Sequence, residues 1–466
     1  MSTFSGLNAA TTALWAQRRA LDVTGQNVAN VNTDGYSRQR AEMQAMGGTG
    51  VPAFFSTSTG IGAGVNADKV IRIRDAFLEG RGHVETANSA RLTAVDDAYG
   101  LIEQAYREPG DTGIQNLLAD MWAGFEDLAN HPEDLGSRGQ IIQRLDTLVG
   151  GLKFSQAQLG GQWTQTRENL QVLVDDVNAS AQTVAQLNQA IQGALRAGIP
   201  ANDLMDKRDL LVNKLAEQIG ATVRPKDDGV VDVMVGGIAI VAGSTSTAFA
   251  VAGSLDPDTV SLDPPRIVTA GAGYAVRPGG TAQGQIEVLK DIIPGYRAQL
   301  NGVASDLAAA INGLHTTGYD MAGNAGTELL GPVPGPVTAE NLTVLISDPA
   351  LIAASSIGPG TPNNDAGVAK QLAALRQSTT GVDATYRRMI VELGVQAAVS
   401  DRNLGIQQVI TAQVDAAKES VAGVNIDEEM TNMLSYQHAY AAAGRLVTAI
   451  DEMLDVLINR MGIVGR

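Results

Sequence analysis

The chain has 466 residues, 44% of them apolar but only 4% aromatic, with no cysteine and a net charge of −17. That length calls for about two or three domains, whose cores must rest on Ala, Leu, Val and Ile, a composition that suits closely approaching helices. The acidic balance, with no Lys/Arg stripe to offset it, argues against nucleic acid and against an anionic membrane surface. The missing thiols exclude disulfides, thiolate metal sites and a cysteine nucleophile.

Residues 3–31 read as a helix with Leu7, Leu14, Leu21 and Val28 at heptad spacing, helped by Phe4. Arg18 and Gly25 interrupt the alternate seam, so an isolated helix of this kind is marginal in water and is expected to be disordered in a free monomer. The turn formers of Asn30-Val31-Asn32-Thr33-Asp34-Gly35-Tyr36 must end it. Residues 37–75 are extended and rich in Gly, Ser and Thr, with strand pieces suggested at Val65, Val70, Ile71 and Ile73. Helical periodicity runs from about 76 to 220. Val95, Tyr99, Ile102 and Tyr106 form one face, and Ile114 to Leu128 a second helix stopped at Asn130-His131-Pro132. A long helix follows from Ser137 to about Ala197, striped from Ile141 to Leu195, with Gly150-Gly151 and Gly160-Gly161 as candidate bend points. A shorter helix is capped at Asn202 or Asp203.

Residues 221–285 switch to period two through Val231, Val233 and Val235, with turns at Asp227-Asp228-Gly229 and Gly236-Gly237, which predicts a small antiparallel β insert. Helix returns over 285–316 with a kink expected at Pro294-Gly295. Residues 317–362 are loop-rich with one strand candidate at 341–346, and helix resumes over 363–421. The closing helix, 426–461, carries Met433, Tyr440, Val447 and Leu454 at heptad spacing, and Tyr436, Ala443, Ile450, Leu457 and Met461 in an offset seam. Asp427, Glu428 and Glu429 favour its N-terminal dipole. The layout is nested. Residues 1–35 plus 425–466 form a terminal coiled-coil assembly domain. Residues 36–220 plus 286–424 form an elongated helical bundle, with irregular or strand pieces at 37–75 and 338–360. Residues 221–285 form the β insert. The fold class is mainly α with a smaller β part.

No catalytic constellation emerges. The histidines, His83, His131, His315 and His438, lack ligand spacing and read as solvated or capping groups. The pairs Asp96-Asp97 and Asp175-Asp176 are neighbours that do not share a helix face, and Asp227-Asp228 is turn chemistry. The glycine runs at 60–65 and 271–280 lack the Gly-Lys-Ser/Thr of a phosphate loop, and Trp15, Trp122 and Trp163 read as packing. No cofactor, metal site or catalytic residue is expected. No cleavable signal is expected in the N-terminal segment, and no stretch reaches the roughly 18 apolar residues of a membrane span.

Three blocks carry a resemblance. Asn27-Val28-Ala29-Asn30, Thr33, Gly35-Tyr36 and the basic Arg38 resemble the N-terminal signature of the flagellar axial proteins, the rod, hook and hook-associated proteins. The form Gly35-Tyr36-Ser37-Arg38-Gln39 is most similar to the hook-associated protein 1 family of the hook–filament junction. Gly423-Val424-Asn425-Ile426-Asp427-Glu428-Glu429, followed by Tyr436-Gln437-His438-Ala439-Tyr440, resembles that family's C-terminal block, and Asn202-Asp203-Leu204-Met205-Asp206-Lys207-Arg208-Asp209 an internal one. Gly318-Tyr319-Asp320 with Gly323-Asn324 agrees too. The family's outer β domain, which follows that segment in long members, is absent here, where only about twenty Gly/Pro-rich residues intervene.

The resemblance implies a structural protein that joins hook to filament, needed for filament assembly and motility. It would be secreted to the extracellular flagellum through the type III channel without a cleaved signal. Its implied partners are copies of itself in a ring, hook protein, the second junction protein (hook-associated protein 3) and an export chaperone at the C-terminal helix. The assembly residues would be Leu7, Leu14, Leu21, Val28, Asn30, Gly35, Tyr36, Met433, Tyr440, Val447 and Leu454. The alternatives are a paralogous hook or distal-rod protein, against which the Val424-Asn425-Ile426-Asp427-Glu428-Glu429 form argues, and a flagellum-borne surface enzyme, for which a metal-ligand motif in 221–285 is wanting.

Overall fold

The structure is a computed structural model that describes residues 3–47, 62–332, 335–358 and 364–460. Most of the Gly/Ser/Thr-rich stretch over 48–61, part of the Gly/Pro-rich loop near 333, and Met461 lie outside the described residues. Contacts divide the chain into two compact units. One comprises Met1–Thr86, Asn178–Thr247 and Val409–Arg466, the other Ala87–Val177 and Ala248–Gln408.

In the first unit, α1 (Thr3–Ala29) packs against α10 (Ile426–Asp455). A Cβ added at Gly6 would meet the Ile450 Cδ1 at 3.4 Å, and Asn27 bonds to Glu429, so the pair is antiparallel. The hairpin of β1 (Gln39–Met46) and β2 (Gly64–Arg72) lies along α1. Strand structure therefore occupies both ends of the stretch in which only short pieces were expected near 65–73. The unit also holds the C-terminal part of α4 (Leu135–Arg196), all of α5 (Asn202–Ile219), and the antiparallel sheet β3 (Thr222–Pro225), β4 (Val231–Val235), β5 (Ile238–Ala242) and β6 (Thr245–Ser246). Val231, Val233 and Val235 are buried and the intervening Asp232 and Met234 are not, as period-two alternation requires. Asn188 of α4 is fully buried. Its side-chain NH2 donates to the Val231 carbonyl at 2.7 Å and the Gly243 carbonyl at 2.8 Å, which fastens the helix to the sheet.

The second unit contains most of α2 (Ala76–Tyr106), α3 (Ile114–Asn130), the N-terminal part of α4, and α6 (Gly280–Glu287) leading into α7 (Ile293–His315). It also contains α8 (Gly367–Ala374) and most of α9 (Val382–Ala422). The period-two region is not one sheet. A break after β6 leaves β7 (Phe249–Ala252), β8 (Arg266–Thr269) and β9 (Ala275–Val276) as a separate antiparallel sheet in this unit. The core is built from Ile102, Phe125, Leu145, Leu300 and Leu307, all fully buried, around Trp122 and Trp163. Each buried indole finds an acceptor, as amphipathic rings require: Trp122 donates to Asp383 at 2.6 Å and Trp163 to the Leu289 carbonyl at 2.8 Å.

The long helix α4 runs 62 residues without interruption at either Gly-Gly pair. Its predicted stripe is buried from Ile141 to Ile191, except that Leu187 is half-buried and Leu195, in the last turn, is exposed. The kink expected at Pro294 is a π-helical turn over Val288–Ile292, which widens the helix just before a residue that cannot donate its N–H. The strand candidate at 341–346 shortens to β11 (Thr343–Val344), paired with β10 (Leu330–Gly331). Asp320 closes a tight turn by accepting the Ala322 and Asn324 N–H groups, both at 2.8 Å.

The reading of all histidines as solvated or capping is corrected at two of them. His315 is fully buried because both ring nitrogens serve the backbone. Nδ1 donates to the Thr327 carbonyl at 2.6 Å and Nε2 accepts the Ala353 N–H at 2.8 Å. His83 is buried against Asn213 at 2.9 Å. Trp15 is corrected the other way: it is 72% exposed and packs no core.

Candidate functional site

The residues of the three resembling blocks meet in the first unit, around Asn27 in the last turns of α1. Asn27 is 1% exposed, and its amide makes every bond it can. The NH2 donates to the Gln39 carbonyl at 2.9 Å and to Glu429 Oε2 at 3.1 Å. The carbonyl oxygen accepts the Tyr36 hydroxyl at 2.8 Å and the Gln39 N–H at 3.0 Å. One side chain thus ties the end of α1, the start of β1 and the first turn of α10. Such an amide is costly to bury and specifies a unique fit once satisfied.

Glu429 is 2% exposed and accepts Arg38 Nε at 2.7 Å. Arg38 reaches on to Glu428 at 2.8 Å, and its backbone N–H donates to the Ala422 carbonyl at 2.9 Å. The first turn of α10 is capped by Asn425, whose side chain accepts the Asp427 and Glu428 N–H groups. The acidic run therefore does more than favour the dipole: Glu429 points inward as the counter-ion of the signature arginine.

The α5 block closes the other side. Asn202 donates to Gln39 Oε1 at 3.0 Å and to the Val70 carbonyl at 3.1 Å, pinning both strands of the hairpin. Arg72 bridges Asp206 and Asp209, each at 2.8 Å, and Arg74 and Arg208 also pair with Asp209. Burial by itself would raise the Asp209 carboxyl, but Arg208, Arg74 and Arg72 outweigh it and hold that carboxyl below its ordinary value. Burial, reinforced by Asp206, Asp203 and Glu429, pushes the Tyr36 phenol up to about 12, so it remains a donor to Asn27.

The heptad residues lie around this hub. Leu7, Leu14, Leu21 and Val28 are half-buried, whereas the line of α1 that is fully buried is Ala10, Ala16, Ala20, Thr24 and Asn27. On α10, Met433, Val447 and Leu454 are half-buried and Tyr440 is 43% exposed, while Glu429 and Ile450 are buried. Asn30 is half-buried and bonds locally, donating to the Gln26 carbonyl at 2.9 Å and accepting from Thr33 at 3.2 Å. Gly35 takes φ +77 at the turn, where a Cβ would also meet Leu210 at 3.4 Å. The hub residues Asn27, Arg38, Asn202, Asp206 and Glu429 were visible as motif matches, but heptad spacing directs attention to the leucines. Among the described residues no cluster of His, Asp and Glu could hold a metal ion, and no helix is long and apolar enough to cross a membrane.

Residues 99–330 match the family model of the flagellar hook-associated protein FlgK helical domain. Residues 7–36 match that of the flagella basal body rod protein, and 419–461 that of the flagellar basal body rod FlgEFG protein C-terminal region, so the terminal matches cover the hub's α1 and α10 sides. The chain is 28% identical to flagellar hook-associated protein 1 of Bacillus subtilis (strain 168), over the whole of both chains, and 24% identical to that of Escherichia coli (strain K12), over 98% of each. A solved structure, the flagellar hook junction protein FlgK from Burkholderia pseudomallei, shares the fold with a TM-score of 0.63 at 17% identity. It covers 74% of this chain and all of that one.

Proposed function

We infer the function from the family to which this chain belongs, that of flagellar hook-associated protein 1: it is a structural protein of the bacterial flagellum, set at the junction between hook and filament. Its work is assembly with other flagellar components. More finely, it forms a ring of its own copies between hook protein on one side and hook-associated protein 3 on the other. It leaves the cell through the flagellar export channel without a cleaved signal, with a chaperone holding the C-terminal helix until delivery.

The observation that carries this reading is the α1–α10 pair. Asn27, Arg38 and Glu429 clamp it at one end, yet it leaves Trp15, Met430, Leu434, Leu446 and Met453 substantially exposed. An α-helix with apolar residues around most of its circumference belongs inside a larger assembly. Residues 1–35 with 425–466 are therefore the assembly domain, and Leu7, Leu14, Leu21, Val28, Met433, Tyr440, Val447 and Leu454 its shared surface. Completing the burial of each half-covered residue against neighbours contributes roughly 1 kcal/mol, a part of the roughly 1.5–3 kcal/mol that full burial is worth, available only once the neighbours are present.

Deleting residues 426–466 tests the reading. Cells should build hooks but release unpolymerised filament protein into the medium, as seen by electron microscopy and by fractionation. Filaments of normal length and number would refute it.

A further inference from the structure

The loop between β7 and β8 carries one tetrapeptide twice, Ser254-Leu255-Asp256-Pro257 and Ser261-Leu262-Asp263-Pro264. Leu262 and Leu255, 86% and 80% exposed, are the most exposed large apolar side chains among the described residues. A loose loop does not explain this, because the frame around them is tied at its base and its centre. Gly253 takes φ +105 where the two ends of the loop close, with its missing Cβ 2.5 Å from the Pro264 carbonyl oxygen, and the Ser254 N–H donates to the Asp263 carbonyl at 2.8 Å. Asp256 caps a short 3-10 turn by accepting the Asp258 N–H at 2.9 Å. Val260 is buried, and the buried Arg297 holds Asp258 at 2.7 Å. A frame so fixed that keeps two leucines in water is unfavourable unless something covers them. The flanks of this knob are acidic. Asp256, Asp258, Asp263 and, beyond Arg297, Glu340 are exposed, and the cations among them are Arg297 and Arg266.

The same unit carries a pocket of opposite character where α8 gives way to α9. It measures about 580 Å³ and is walled by Arg376, Arg387, Arg388, Ser378, Thr379 and the 62% exposed Val391, with no carboxylate in its lining. Arg387 and Arg388 are exposed and form no ion pair among the described residues. The carboxylates just outside are already engaged: Glu126 lies 3.6 Å from Arg376, and Asp383, which feels Arg387 and Arg376, accepts the Trp122 indole N–H. Helix α4 measures how far apart the two features lie. Helix α3, which carries Trp122 and Glu126, packs on α4 at Ile141, where a Cβ on Gly124 would come within 3.3 Å, whereas Arg297 under the knob donates to the Gln156 carbonyl at 3.0 Å. Those two levels of α4 are about 22 Å apart, so a chain keeps its own knob out of its own pocket.

We propose that the Leu255–Leu262 knob of one copy seats in the arginine pocket of a second copy, with the leucines on Val391 and the flanking aspartates facing Arg376, Arg387 and Arg388. The occupant is a second copy on grounds of charge. Copies of net charge −17 repel one another, so close packing requires basic surface of one to meet acidic surface of the next. The pocket supplies the first and the knob the second, each with an apolar centre that the other covers. A head-to-tail contact of this kind repeats from copy to copy and can close a ring. The inference rests on the junction reading and supplies the lateral contact that a ring requires.

The chain has no native cysteine, which allows a direct test. Leu262→Cys and Val391→Cys, alone and together, are placed in the full chain, and flagella are treated with a short bismaleimide. A ladder of dimers, trimers and higher multimers is expected only from the double variant. Dimers from L262C alone or from V391C alone would show a symmetric knob-to-knob or pocket-to-pocket contact and overturn the proposal, as would no cross-linking from the double variant. As an independent readout, L255S/L262S and R387Q/R388Q should each keep the melting temperature of the purified chain and be exported, but lose filament attachment. Normal filaments on either variant would also overturn it. If deletion of 426–466 abolishes filaments while L255S/L262S and R387Q/R388Q do not, only the knob contact fails. If filaments survive all three changes, the junction reading itself fails.

Discussion

Replacing Glu429 by Gln isolates the clamp between the two terminal helices. The carboxylate is 2% exposed and accepts from two donors, Arg38 Nε at 2.7 Å and Asn27 Nδ2 at 3.1 Å. A glutamine keeps one acceptor and turns an NH2 toward one of those donors. The Arg38 charge is then left with Glu428, whose side chain is 58% exposed and compensates by only a few tenths of a kcal/mol. Losing one member of a buried ion pair costs about 3–5 kcal/mol, but Arg38 retains 18% exposure, so roughly 2–4 kcal/mol is appropriate here. The loss falls on local opening of α10, because the affected bonds tie its first turn to α1 and β1. At about 1.4 kcal/mol per tenfold, amide hydrogen exchange over 432–436 should accelerate about thirty- to several-hundred-fold, with amides of α3 unchanged. Glu428→Gln should change the same amides less than about threefold. Equal, small effects from the two variants would refute the argument that the inward carboxylate, rather than acidic charge in the first turn, holds the helix.

Other consequences follow from the same contacts. Asn27→Ala should cost about 2–4 kcal/mol of unfolding free energy in denaturant titrations, since it orphans the Tyr36 hydroxyl, the Gln39 N–H and carbonyl, and one bond to Glu429. Gly64 takes φ +114, with its missing Cβ 3.2 Å from the Ala9 Cα and 2.0 Å from Thr12 Oγ1. Gly64→Ala should therefore lift the hairpin from α1 at a cost of about 1–3 kcal/mol, read as faster proteolysis within 40–72. Burial holds the His83 and His315 imidazoles below their ordinary value, so the unfolded chain binds their protons more readily than the folded one. Their stabilisation is present above about pH 6.5 and is lost as pH falls through the lowered folded values, so the melting temperature should drop on mild acidification. His315→Gln should flatten that drop, although it lowers the plateau. The depressed Asp209 carboxyl adds a second loss, present above about pH 4 and disappearing as pH falls through its folded value; Asp209→Asn should remove that step from the acid profile.

Elements whose signal was local could be read from the chain. The C-terminal end of α3 follows from Pro132, the run of α4 from its unbroken stripe, and the β4 register from three alternating valines. Elements settled by tertiary contact could not. Nothing in residues 39–46 marks a strand by composition; β1 forms because β2 and the side chains of Asn27 and Asn202 satisfy its backbone and neighbours. The division of the period-two region into two sheets, one in each unit with the break between Thr247 and Ala248, is a property of the fold that the alternation does not carry. His315 looked like a solvent group because its acceptor and donor lie 12 and 38 residues away along the chain.

The terminal pair shows why heptad spacing alone misleads about which atoms hold two helices together. Spacing reports where large side chains recur, and Leu7, Leu14, Leu21 and Val28 do recur on one side of α1. Yet the side of α1 that is fully buried, between α10 and the β1–β2 hairpin, carries the smallest side chains, Ala10, Ala16 and Ala20, and ends in the polar Thr24 and Asn27. Small residues let backbones approach, and a fully bonded amide then fixes the register that alanines alone would leave free to slip. The leucines are pushed to the flanks, half-covered, where one chain cannot finish burying them. A specific polar lock inside and a half-covered apolar flank outside divide the tasks of the two ends: Asn27, Arg38 and Glu429 set how one chain pairs with itself, and in the proposed assembly the flank is what neighbouring copies complete.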